Sequence, residues 1–325
     1  MKYVEVIAES GSGDTVAAIA EKAGAHDFRR GDTDVDGMQL TRMLVDDARL
    51  QGTLDMLQNV LGAQPTARII VFAVETTLPR PPPADAETPR EAPTATRELL
   101  YEEVARGARR DPNFYLLVVL STIVAAIGLI ENNVAVVIGA MVIAPLLGPN
   151  LALSLGTALG DAALMKEAAQ TLGIGIALAV GLSALFGLWW PTALDSPELL
   201  ARANATLDSI VLALAAGAAA ALSLTSGLSA VLVGVMVAVA LLPPAATLGI
   251  MLGDGRMTLA TGAGLLLAVN IVSVNLASKL VFFARGIHPR TWLEKEKARR
   301  AMLRYVLGWV VTLGVLLVLM ILRAA

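Results

Sequence analysis

The 325-residue chain has no cysteine, two histidines, an aromatic fraction of 4% and a charged fraction of 16%. Without cysteine there is no disulfide and no thiolate chemistry to consider, in any compartment. His26 and His288 are far apart and lack metal-ligand companions, so no metal site is expected. No His-Glu-x-x-His, no pair of aspartates within an apolar run and no Gly-x-Ser-x-Gly with a membrane histidine can be assembled. The expectation is therefore a protein that is not an enzyme and takes no cofactor. Nucleic acid is disfavoured, because the residues ahead of position 80 are acidic rather than basic. Met1–Ile7 also lacks the apolar core that a signal peptide requires.

What the chain has in abundance is apolar sequence, 56% of its residues, with a mean hydropathy of +0.67. Charge-free stretches cover 114–130, 134–160, 168–194, 209–253, 257–278 and 305–322. A spanning helix needs roughly twenty residues. The stretch from Ser209 is long enough for two, with Ser223-Leu-Thr-Ser-Gly-Leu-Ser229 as the turn between them. Seven spans result, and the lipid bilayer is the first expected partner. Arg106, Arg109 and Arg110 precede span one, Lys166 lies between spans two and three, and Arg285 to Arg304 form a basic cluster between six and seven. By the positive-inside rule these loops face the cytoplasm. That places the N-terminus inside and the C-terminus outside a cytoplasmic (inner) membrane.

A soluble domain precedes the spans over residues 1–79. Tyr3–Ala8, His26–Arg30, Met38–Val45 and Ala67–Val74 read as strands, and Asp14–Ala23 and Asp46–Leu61 as helices. The order βαββαβ is that of a ferredoxin-like α/β unit. Gly11-Ser-Gly-Asp14 reads as an ordinary cap or an anion cradle. Residues 80–96 are proline-rich and read as a semi-rigid spacer. Over 97–112 an interfacial helix is expected, with Leu99, Leu100, Val104 and Ala108 on one side. Asp111-Pro112 suits the start of span one. Thr291-Trp-Leu-Glu294 has capping-box spacing for a basic helix that runs on into span seven, making 286–325 one segment.

Two segments repeat. Ala135–Pro149 and Ala230–Pro244 agree at eight of fifteen positions, and each places proline inside an apolar run. Proline in a membrane helix frees backbone groups that only protein or a watery cavity can satisfy. With the copies in spans two and five, the repeat unit holds three spans, so the halves, residues 113–190 and 205–285, point oppositely. Gly160-Asp161 then matches Gly253-Asp254 after a two-residue slip, and Leu178–Gly181 matches Leu267–Asn270. Inverted repeats with broken helices characterise secondary transporters, which bind their cargo near the midplane. The plainer reading is that the prolines merely kink two membrane helices.

Candidate contacts for a solute or ion are Pro145, Pro149, Asn150, Pro243 and Pro244 at the breaks, and Asn270 and Ser273 in span six. The prolines would hold the half-helices open while the polar side chains meet cargo. Interhelical glue is the alternative role for the asparagines and serines. Glu131, Asn132, Asn133 and Asn275 are secondary candidates; the first three read equally as a solvated outer turn.

The Glu-Asn-Asn turn, Val137-Ile-Gly-Ala-Met-Val-Ile-Ala-Pro-Leu-Leu-Gly-Pro149 and the later Leu-Leu-Pro-Pro resemble a known group. They are similar to the bacterial and archaeal hydrophobic membrane proteins grouped as domain-of-unknown-function family 389, closely over about residues 100–285 and more loosely before. The resemblance implies membrane architecture and transfers no functional residue. The reading is a transporter of a small solute or ion whose N-terminal domain senses a ligand and gates the bundle, with homo-oligomerisation compatible. An ion channel, or a membrane-anchored sensor or scaffold, remains open beside it.

Overall fold

The computed structural model describes residues 1–74, 77, 97–190, 194–226, 241–287 and 292–324; the side chains of 97–99, 292–305 and 324 are not described. The proline-rich spacer, His288, the end of the Ser223–Ser229 turn and the Gly234 copy of the repeat lie outside these residues. Two compact units emerge, Met1–Arg97 and Glu98–Ala325.

In the first unit the chain runs β1 (Lys2–Glu9), α1 (Gly13–Lys22), β2 (Asp27–Thr33), β3 (Met38–Val45), α2 (Asp47–Leu61) and β4 (Arg68–Ala73). The four-stranded sheet has the order β2-β3-β1-β4, with antiparallel neighbours throughout. Period-two alternation sends Val4, Val6 and Ala8 of β1 inward. There they meet Val16 and Ile19 of α1 and Leu50, Leu54 and Leu57 of α2, so both helices cover one sheet face. The Gly11–Asp14 stretch is a single tight turn leading into α1, and Asp14 pairs with Arg30 at 2.8 Å.

The second unit is helical. Its elements are α3 (Arg97–Ala108), α4 (Pro112–Ile130), α5 (Val134–Ile143), α6 (Leu147–Leu159), α7 (Ala162–Trp189), α8 (Pro197–Ala201), α9 (Leu207–Thr225), α10 (Leu242–Gly253), α11 (Met257–Ala284) and α12 (Trp292–Ala324). Asp111 caps α4 by accepting from the Phe114 amide at 2.7 Å, with Pro112 in the first turn. α4, α7, α9, α11 and residues 306–323 of α12 are long and apolar enough to cross a membrane; α5 and α6 add a sixth span, bent by 51°. Of the expected second broken span only α10, a shorter apolar helix, is described.

At the bend Ala144 is extended (φ −67°, ψ 121°), as the residue before Pro145 must be. Pro149 falls in the first turn of α6, and Pro243 and Pro244 in the first turn of α10. A missing N–H costs nothing there. Pro145 follows the end of α5, and Pro149, Pro243 and Pro244 lie where α6 and α10 start. Leu146 at the bend and Phe114, from the first turn of α4, meet at Gly175.

The helix bounds recur at a constant spacing. Adding 95 carries Pro112–Ile130 onto Leu207–Thr225, Ala162–Trp189 onto Met257–Ala284, and the start of α6 at Leu147 onto that of α10 at Leu242. The turn glycines follow the same spacing. Gly160 (φ 71°) and Gly255 (φ 75°) each adopt the left-handed conformation that lets the next amide reach back, Asp161 to the Gly156 carbonyl at 2.8 Å and Arg256 to the Met251 carbonyl at 2.9 Å. The expected slip, pairing Gly160 with Gly253, is thus corrected to Gly255. By the same shift Asn270 corresponds to Gly175 instead of Gly181.

Packing follows suit: α6 lies against α7 and α11, α10 against α11 and α7, α4 against α7, and α9 against α11. Glycines allow the closest approaches. A Cβ on Gly217 of α9 would fall 2.5 Å from the Val274 carbonyl oxygen of α11.

Candidate functional site

A pocket of about 520 Å³ opens where α10 begins. Pro244 of α10 and Leu266 and Asn270 of α11 form one side; Arg202, Ser209 and the small side chains Ala213, Ala216 and Ala219 form the other. The alanines make the space, because residues with a single Cβ carbon leave the α9 wall thin. Asn270 is 6% exposed, on an apolar helix whose turns carry it to the protein interior. Arg202 follows α8 and pairs with Glu198 one turn back, also donating to the Glu198 carbonyl at 3.0 Å. The ion pair presents a polar but largely neutralised rim.

The residues 95 positions earlier are tightly packed. Subtracting 95 from Arg202, Ser209, Pro244 and Asn270 gives Gly107, Phe114, Pro149 and Gly175. Gly107 of α3 lies directly on Gly148, and a Cβ on Gly107 would sit 3.1 Å from the Gly148 Cα. The Phe114 ring fills the space beside Gly175, whose Cβ would meet it at 3.0 Å. α3 is fastened there by Leu100, Val104 and Ala108, all buried, by Thr171 Oγ1 donating to the Ala108 carbonyl at 2.7 Å, and by Tyr101 Oη donating to Asp161 Oδ2 at 2.8 Å. That last bond, with burial, raises the Tyr101 phenol above its ordinary range. The segment expected to lie at an interface thus packs on the helices through Leu100, Val104 and Ala108 of the stripe the sequence marks.

The candidate residues separate into groups. Pro244 and Asn270 meet in the pocket. Asn150 does not: Asn275 Nδ2 donates to its carbonyl at 3.1 Å and to its Oδ1 at 2.9 Å, and Ser154 Oγ donates to the Asn275 carbonyl at 3.2 Å. This fully buried junction joins α6 to α11. Ser273 is buried near Asn270 on α11, one turn along. Pro145 belongs to the bend, Pro149 and Pro243 to buried first turns. Glu131, Asn132 and Asn133 form a turn. Asn133 caps α5 through the Val136 amide at 3.2 Å, and Asn132, at φ 56°, accepts from the Glu198 amide at 3.1 Å.

Two residues were missed by the sequence reading. Arg202 is one, because it follows α8, which is too short to show periodicity. Lys279 was placed beyond span six, which the charge-free criterion ended at Ser278; α11 continues to Ala284, and Lys279 is 2% exposed. The interior is therefore not free of charged side chains, as the apolar runs had suggested. Among the described residues no group of three or more His, Cys, Asp or Glu could hold a metal.

Apolar helices of spanning length, one of them bent, around a buried polar interior define the class: a polytopic helical membrane protein. Within it, the chain belongs to the family described as domain of unknown function DUF389, whose model matches residues 141–276. It is 37% identical over 268 residues to uncharacterized protein MJ0678 of Methanocaldococcus jannaschii, an overlap covering 82% of this chain and 83% of that one. No solved structure matches.

Proposed function

We propose that the second unit is a secondary transporter that moves a small solute or ion by alternating access. Its α4–α7 and α9–α11 segments would be inverted three-span copies, lying in the cytoplasmic membrane with the N-terminus inside. The carrying observation is the unequal pair of equivalent places: a pocket bounded by Arg202, Ser209, Pro244 and Asn270, and its counterpart filled by Gly107 and Phe114. Inverted copies that hold equivalent places differently, one open and one filled, fit a carrier whose copies exchange conformations to alternate access. The constant spacing of 95 between helix bounds supports the repeat. The antiparallel order β2-β3-β1-β4 with βαββαβ connectivity supports a ferredoxin-like regulatory domain.

The cysteine-free chain allows a direct test without knowledge of the cargo. Ala213 and its counterpart Val118 are replaced singly by cysteine in the full-length protein, and a membrane-impermeant thiol reagent is added to one side of oriented vesicles at a time. Ala213→Cys is expected to react from the outer face only and Val118→Cys, more slowly, from the inner face only. Reaction of either residue from both faces would favour a channel. Failure of Val118→Cys to react at all would leave a scaffold.

A further inference from the structure

We propose that Lys279 binds an anionic group of the transported solute; this rests on the transporter reading above and names its cargo class. The ammonium of Lys279 lies 4.3 Å from the centre of the Trp309 ring, on α12. It has no hydrogen-bond partner among the described residues. Neither α6, α11 nor residues 306–324 of α12 contain Asp or Glu. An uncompensated ammonium in an apolar interior is costly, and an aromatic face covers only one side of it.

A second orphan donor lies close by in the fold. Asn275, one helical turn before Lys279 and on the same face, is bonded to Asn150 across the α6–α11 contact. That pairing uses Asn275 Nδ2 and leaves Asn150 Nδ2 without an acceptor among the described residues. Asn150 belongs to the N-terminal end of α6, where free amides and the helix dipole favour negative charge. One interface thus collects an ammonium, a side-chain amide donor and a helix N-terminal end, with no acid in α6, α11 or residues 306–324 of α12. The partner we infer is an acceptor carrying negative charge, which α6, α11 and residues 306–324 of α12 do not supply.

Trp309 reports on the site. In the full-length protein in detergent, with Trp189, Trp190 and Trp292 replaced by Phe, emission is followed while sodium acetate, phosphate or chloride replaces sodium HEPES at constant ionic strength. At least one of the three anions is expected to give a saturable change, as the ammonium leaves the ring for the anion. Lys279→Met should weaken that titration roughly tenfold or more. Lys279→Arg should retain it within a few fold. No response to any anion, or an unchanged titration in Lys279→Met, overturns the assignment. If Lys279→Met does not give a monodisperse protein, loss of the response in a well-folded Lys279→Arg counts against it equally. Saturable binding without opposite-sided cysteine reactivity would remove the transport reading and keep the site; opposite-sided reactivity without an anion response would do the reverse.

Discussion

Arg256 reaches from the turn after α10 to Asp195 ahead of α8, and to Asp254 at 2.8 Å. Its hydrogen bond to Asp195 holds that carboxyl below the usual aspartate range, the guanidinium charge adding to the effect. A folded-state value below the unfolded one means the carboxylate stabilises the fold above the unfolded pKa, about 4, and stops doing so as pH falls through the folded value. The melting temperatures of the wild type and Asp195→Asn should therefore differ at pH 6 and converge toward pH 3. A constant difference across that range would show that the pair is not linked to folding. The side chains of both residues are substantially exposed, so the difference is expected to shrink in high salt.

At the scale of helices, close approach decides which pairs stay together. Gly217 lets α9 lie on α11 so tightly that Ser278 Oγ donates to the Gly217 carbonyl at 3.0 Å. A branched side chain has nowhere to go, because the atoms facing it are backbone and cannot rotate away. Gly217→Val should destabilise the bundle by about 2 kcal/mol or more, read as a lower midpoint of unfolding in detergent, while Gly173→Val, with open space around it, should cost far less. Equal effects at the two positions would contradict the packing. The prolines act at this scale too. Their positions were readable in the sequence, but their effect, starting helices at Leu147 and Leu242, depends on which turn they occupy.

The whole molecule is two units with separate cores. The first buries Val4, Val6, Val16, Leu50, Leu54 and Leu57 among themselves. A fragment of residues 1–74 is expected to fold alone, giving a cooperative thermal transition and a mixed α/β circular dichroism spectrum; a disordered spectrum would show that the core needs the second unit. Much of this architecture was legible beforehand. Strand alternation located Met38–Val45 to the residue, and Asp111-Pro112 marked the start of α4, because local backbone chemistry sets both. Lys279 was not legible, since a charge after an apolar run reads equally as a helix end or a buried group. Nor was the pocket, whose walls come from α9, α10 and α11, segments brought together only by packing.

The sequence by itself determined the membrane class and the α/β character of the first unit, because composition and periodicity are properties of neighbouring residues. Tertiary structure alone decided that Asn150 bonds Asn275 while Asn270 faces a pocket, and that Gly107 packs on Gly148 while Arg202 borders that pocket. These depend on how helices distant in the chain lie against one another. Contacts between identical residue types differ there by a few ångströms, and no local pattern encodes that distance.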